Sequence, residues 1–461
     1  MKQKTYSMDM CEGAVMPKML KFAVPLMLSS ILQLLFNAAD VVVVGKFAGD
    51  TALAAVGCTG SLINLLINLF MGLSVGTNVM VARHFGAKQE DKLKKSVHTS
   101  MFLSVLGGIL LTAVGVLFTE GILGLMETPE DVLPLAALYL RIYFMGMVPN
   151  MVYNFGSAIL RAIGDTKRPM YFLTLAGIIN VCLNLLFVIC FEMGVAGVAT
   201  ATVIAQTISA VLVVICLMRE KGAIKLILKD LKIDKKELLA ILRIGLPAGM
   251  QGCIFSLSNV IIQKSINGFG SITVSGNSAA ANLEGFVYVS MNAFHQATIS
   301  FMSQNYGAGR YDRLKKIVVS GLLCATAIGM TFGNLEYFLG STLLGIYTSS
   351  ENVIAAGLVR MSIICTTYFL CGIMDVMVGV LRGVGYSFVP MIVSLCGVCG
   401  VRLTWLFTVF EMEEYHKVET VYISYPISWL FTFLIHLISY LVINKKMKDA
   451  RKLLQITEQA E

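Results

Sequence analysis

The apolar run from about Leu20 to Val44 is long enough to cross a bilayer, which needs roughly 20 apolar residues, and a carboxylate, Asp40, lies near its far end. A charge at membrane depth costs on the order of 3 kcal/mol or more, so an acid there marks a functional site by default. Gln33, Asn37 and Asp40 fall at i, i+4 and i+7, one stripe down one helix face. Lipid cannot satisfy these groups, so the stripe must face protein or a wet cavity. Pro25, fifteen residues before Asp40, removes one backbone hydrogen bond and favours a bend.

The rest of the chain repeats the theme. Of 461 residues 56% are hydrophobic and 14% charged, where a soluble protein carries roughly 25% charged residues. The expected fold class is an all-α polytopic membrane protein. The first nineteen residues are polar and the first apolar run is too long for a cleavable signal. The net charge of +8 resides in short loops and the tail, which fits membrane topology and gives no reason to expect nucleic acid. Eleven cysteines lie mostly in apolar runs without metal-ligand spacing and read as small core residues.

Twelve spans are expected, roughly 20–44, 52–82, 97–119, 132–160, 170–192, 195–218, 238–266, 275–303, 317–347, 354–381, 389–410 and 421–444. The connections alternate in charge. Those at 83–95, 161–168, 219–236 and 310–316 and the tail 445–452 are basic, whereas 120–131 has no Lys or Arg and 411–419 has one. The positive-inside rule places both termini in the cytoplasm, as does an even span count. Residues 219–237, alternating basic and apolar, read as an amphipathic helix on the inner membrane surface.

The halves repeat each other. ARHFGAKQEDKLKKSV (82–97) resembles SQNYGAGRYDRLKKIV (303–318), and LRAIGDTKRPM (160–170) resembles LRGVGYSFVPM (381–391), both at an offset of 221 residues; Pro25 and Pro247 are 222 apart. Six spans return the chain to the same side, so the repeat is parallel. The expected organisation is a cytoplasmic segment 1–19, a six-helix lobe 20–218, a cytoplasmic connection 219–237, a second lobe 238–444 and a basic tail 445–461. In such architectures, sites lie in or between lobes that rock against each other. Composition and spacing lead to a two-lobed secondary transporter.

Several residues carry a more specific resemblance: Pro25 and Asp40 in span one, the loops Gly86-Ala87…Asp91 and Gly307-Ala308…Asp312, and Arg161…Gly164…Pro169 with Arg382…Gly385…Pro390. Together, in this order and over about 16–445, the chain resembles the multidrug and toxic compound extrusion (MATE) family. The resemblance implies a two-lobe transporter that exports lipophilic organic cations in exchange for H⁺ or Na⁺. It also implies a bacterial inner (plasma) membrane protein, a monomer without a cofactor, in contact with membrane lipids, and not an enzyme.

Asparagine pairs at i, i+4 recur in the first lobe: Asn64/Asn68, Asn150/Asn154 and Asn180/Asn184. The first pair reads as interhelical glue. The resemblance implies a cation or proton site from Asp40, Asn154, Asn180, Asn184 and Thr202, with Asn37 on the Asp40 stripe. Some relatives carry an acid where Asn184 stands, so this site has one formal charge, which suits one monovalent ion. Carboxylate and amide oxygens, Asp40 and Asn180 foremost, suit Na⁺; burial favours the protonated form of a carboxyl, so a proton serves equally. Protonation would let the helix bend at Pro25. In the second lobe the position opposite Asp40 is Ile262. Glu284 and Asp375 are the secondary acidic candidates there, with Arg402 as a possible partner; His295 reads as a packing residue.

Two other functions compete. A flippase for lipid-linked saccharides shares the architecture but calls for basic residues in the cavity. An integral-membrane transferase needs clustered acids or a His–acid pair at the interface, and neither pattern occurs.

Overall fold

The computed structural model describes residues 7–126 and 128–460, with side chains at all of these except 50, 61, 62, 64, 65, 125 and 450–460. Asn64 is thus outside the described side chains. The helices in chain order are α1 Val15–Phe47, α2 Asp50–Gly86, α3 Glu90–Leu117, α4 Thr119–Leu125, α5 Leu133–Met145, α6 Met147–Ala162, α7 Lys167–Leu185, α8 Gly194–Arg219, α9 Lys235–Asn267, α10 Ser271–Gly307, α11 Tyr311–Phe338, α12 Gly340–Gly345, α13 Glu351–Thr367, α14 Phe369–Gly383, α15 Phe388–Ser394, α16 Val401–Thr408 and α17 Val418–Ala460. A π-helical stretch Leu186–Cys190 continues α7, and another, Leu395–Gly400, joins α15 to α16.

Among the described residues nine helices are long and apolar enough to cross a membrane, and two bent pairs qualify as broken spans: α5 with α6 at 47° and α13 with α14 at 45°. Helix α10, richer in polar residues, has 37 residues, about 55 Å of helix, and completes twelve. The α5/α6 break falls at Gly146, where a Cβ would meet Val203 and Gln206 of α8 at 2.8 Å. The second half repeats the first: α2 and α10, and α3 and α11, correspond at an offset of 221 at both ends, the short α4 and α12 begin 221 apart, and the breaks of the two bent spans, after Met145 and after Thr367, are 222 apart.

Helix α3 is apolar outward and carries its polar residues inward. In α3, Leu106, Ile109 and Leu110 are exposed while Ser96, Thr99, Ser100 and Ser104 are buried. That is the arrangement expected where lipid is the solvent.

The chain forms two compact units: the residues up to Ser256 together with Ser300–Leu314, and Leu257–Ile299 together with the chain from Lys315 onward. In the first, α2 and the start of α9 touch backbone to backbone. Gly72 and Gly76 of α2 meet Gly245 and Gly249 of α9, and a Cβ on Gly72 would fall onto the Gly249 backbone. Small residues at i, i+4 are what permit such an approach.

Residues 219–237 do not form the expected amphipathic helix. They run as two 3-10 turns, Gly222–Ile224 and Leu228–Asp230, joined by extended backbone. Gly222 turns the chain at φ +72°. Ile224 and Leu226 enter the first unit's core beside Val97, Ile159 and Leu217, while Lys225 and Ile227 are exposed. Apolar residues at every second position suit extended backbone, not a helix of period 3.6. The segment is pinned to α3: Thr99 Oγ1 accepts from the Asp234 amide at 3.0 Å, His98 Nε2 from the Ile227 amide at 3.2 Å, and Lys94 pairs with Asp230 at 2.8 Å. Glu237 is buried where Ser96 and His84 meet it at 2.5 and 3.0 Å.

Candidate functional site

Asp40 lies seven residues before the end of α1 and α1 packs along α7. Gly177 makes this approach possible: a Cβ there would occupy the ring of Phe36, one helical turn before Asp40. One and two turns beyond Gly177 come Asn180 and Asn184, and the π-helical stretch begins two residues later. Such widened turns recur at functional sites.

These residues form one hydrogen-bond chain. Asn184 Nδ2 donates to Asp40 Oδ1, and also to Asn180 Oδ1 at 3.2 Å. Asn180 Nδ2 donates to Thr202 Oγ1 of α8 at 3.3 Å, and Thr202 donates to the Val198 carbonyl at 3.0 Å. Asn180 and Asn184 are buried, and Asn184 Oδ1 has no hydrogen-bond partner among the described residues. No Lys or Arg pairs with Asp40 among the described residues. The site therefore presents one uncompensated carboxylate, a free buried carbonyl oxygen and two further oxygens. A proton on the carboxyl or a bare monovalent cation among these oxygens would neutralise it.

The other expected residues lie elsewhere. Gln33 and Asn37 are exposed. Asn154 donates to the backbone and side-chain oxygens of Asn150, both at 2.9 Å, and among the described residues no hydrogen bond joins it to the Asp40 chain. Pro25 is buried in α1, which continues through it without a break. In the second unit Glu284 is buried in a two-pronged ion pair with Arg360, at 2.8 and 2.6 Å. Arg402 instead donates to Ser428 at 2.9 Å and lies over Tyr425. Asp375 accepts from Tyr288, and its carbonyl meets His295 Nδ1 at 2.6 Å.

Sequence reasoning missed Tyr139 and Tyr143 of α5. Their rings stack at 6.0 Å and both phenols are close enough to Asp40 to feel its charge. The signal was an aromatic i, i+4 pair on a helix of high apolar content.

The family model MatE matches residues 25–186 and again 247–407. The chain belongs to the MatE family. The two matched stretches begin at Pro25 and Pro247, so the family unit is itself the repeat. The chain is 29% identical over 439 residues to the probable multidrug resistance protein YoeA of Bacillus subtilis, covering 93% of this chain and 94% of that one. It is 28% identical over 389 residues to the probable multidrug resistance protein YpnP of the same organism, covering 84% and 86%. A structure described as the outward-facing conformation of a multidrug resistance MATE family transporter superposes with TM-score 0.90 at 20% identity, over 97% of this chain and all of that one. This MatE protein is an integral membrane transporter of two six-helix repeats, and not an enzyme.

Proposed function

We propose that this MatE protein exports lipophilic organic cations in exchange for one H⁺ or Na⁺ per cycle, with Asp40 as the coupling group. The observation that carries the reading is the Asp40–Asn184–Asn180–Thr202 chain, which buries one carboxylate's charge against amides and no cation. Asn184 suits both states of the acid. Its amide donates to the carboxylate as built, and a half-turn of the same amide would present Oδ1 to a protonated carboxyl. If the ion is Na⁺, Asp40, Asn180 and the free Asn184 oxygen are its first ligands, joined by Thr202. A change in this chain reaches α1, whose bend at Pro25 would pass it to the substrate path. The basic connections support a reading with both termini on the cytoplasmic side of a bacterial inner membrane, and the reading takes the protein as a monomer without a cofactor.

The test is efflux of a fluorescent organic cation from vesicles holding the purified protein, with Na⁺ and pH gradients imposed separately. One gradient alone should drive efflux and thereby name the ion. Efflux indifferent to both would overturn the coupling, and lipid-linked saccharides would then be the next cargo to try.

A further inference from the structure

The second unit buries an acid that the coupling site does not use. Glu336 sits in the last turn of α11 and is 7% exposed. Its one hydrogen-bond partner among the described residues is the buried thiol of Cys365 on α13, with Sγ 3.5 Å from Oε2. Around the thiol lie Ala280, Leu283, Leu344 and Met361, an apolar cluster. The cation nearby, Arg360, is fully engaged elsewhere. Its Nε and Nη2 donate to Glu284 and its Nη1 to Asn277 at 2.8 Å, and its guanidinium lies 5.5 and 5.6 Å from the rings of Tyr422 and Tyr425. Glu284 and Arg360 cancel each other's charge. Glu336 is left facing a thiol from α13 within that apolar cluster. The Tyr422 hydroxyl of α17, beside Arg360, is itself buried without a partner.

We propose that Glu336 is a second proton-binding residue of this transporter, protonated in this conformation and releasing its proton when the contact between α11 and α13 opens to water. The step is a simple transfer: the carboxyl O–H bond breaks, the proton passes to water, and the carboxylate remains. A proton fits and a metal ion does not. Hard cations require several oxygen ligands, while Glu336 has a sulfur beside it, and no metal-holding group of His, Cys, Asp or Glu occurs among the described residues. The inference extends the coupled-cation reading to a second group and stands without Asp40.

Infrared difference spectra of the purified full-length protein between acidic and alkaline pH, with cation efflux measured over the same range, test it. Wild type should show the band of a protonated carboxyl, which Glu336→Gln removes in part and Asp40→Asn leaves in place at Glu336. Efflux by Glu336→Gln should lose part of its pH dependence while the cation still binds. An unchanged band in Glu336→Gln overturns the assignment. A lost band with an unchanged pH profile also overturns it, because the acid would then titrate without taking part in transport. Should Glu336→Gln not fold, Cys365→Ala provides the reading: it must shift the carboxyl band, and a band that does not move contradicts the proposal. Loss of efflux in Asp40→Asn with an unaltered profile in Glu336→Gln leaves the coupling site standing and removes this one.

Discussion

Asn184 is the joint of the candidate site, because one amide donates to both Asp40 and Asn180. A hydrogen bond to a charged group is worth about 1.5–3 kcal/mol. Asn184→Ala should therefore lower gradient-driven efflux by roughly tenfold or more with little loss of folded protein, measured as initial rates in vesicles at equal protein content. Asn184→Asp should instead place two carboxyls in contact and move the pH dependence of efflux, since like charges oppose ionisation of both. Gly177 is a packing control. A leucine there would collide with Phe36 and cost about 1–3 kcal/mol by overpacking, separating α1 from α7, so both thermal stability and efflux should fall together. At this scale much was legible: an acid inside an apolar run, and amides at i, i+4. Partners were less so. Asn154 turned back on Asn150 within its own helix, and Glu284 found Arg360 while Arg402 had stood only as a possible partner, because a helix periodicity gives faces and not the neighbours that meet them.

Between elements, the connection 219–237 acts as a strap on α3 in place of a helix on the membrane. Its alternation of apolar and basic residues was visible, and read with the wrong period. The strap is held by charges on both sides. The Lys94 ammonium holds the Asp230 carboxyl below the usual carboxylate range, and the backbone amides of Glu237 and Lys236 do the same for Asp234. A lowered folded-state value means that the stabilisation is present above the ordinary range, near pH 4, and is lost as pH falls through it. Asp230→Asn should accordingly melt lower than wild type near neutrality, and the two should converge in acid. Glu237 is the deeper anchor. Removing it leaves the buried Ser96 and His84 without their acceptor, at about 1–3 kcal/mol for a buried group left unpaired, so Glu237→Ala should lower the melting temperature far more than Asp230→Asn. The contact of α2 with α9 rests on Gly72, Gly76, Gly245 and Gly249, whose spacing was readable but whose pairing needed the fold.

For the whole molecule, the offset of 221 seen in the loops returns in the boundaries of α2 with α10 and α3 with α11 and in the starts of the two short helices, and the two broken spans bend 222 residues apart. A duplicated sequence dictates a duplicated fold, which is why the architecture could be read from the chain. The functional groups are not duplicated. Ile262 stands opposite Asp40, so the two repeats share a scaffold and differ in chemistry. Asp40 makes the sharpest test of that asymmetry. Asp40→Asn keeps the size of the side chain and removes its charge. In vesicles under the gradient that drives the wild type, it should still bind the organic cation yet show no gradient-driven efflux. Efflux at the wild-type rate, with the same dependence on the gradient, would contradict Asp40 as the coupling group.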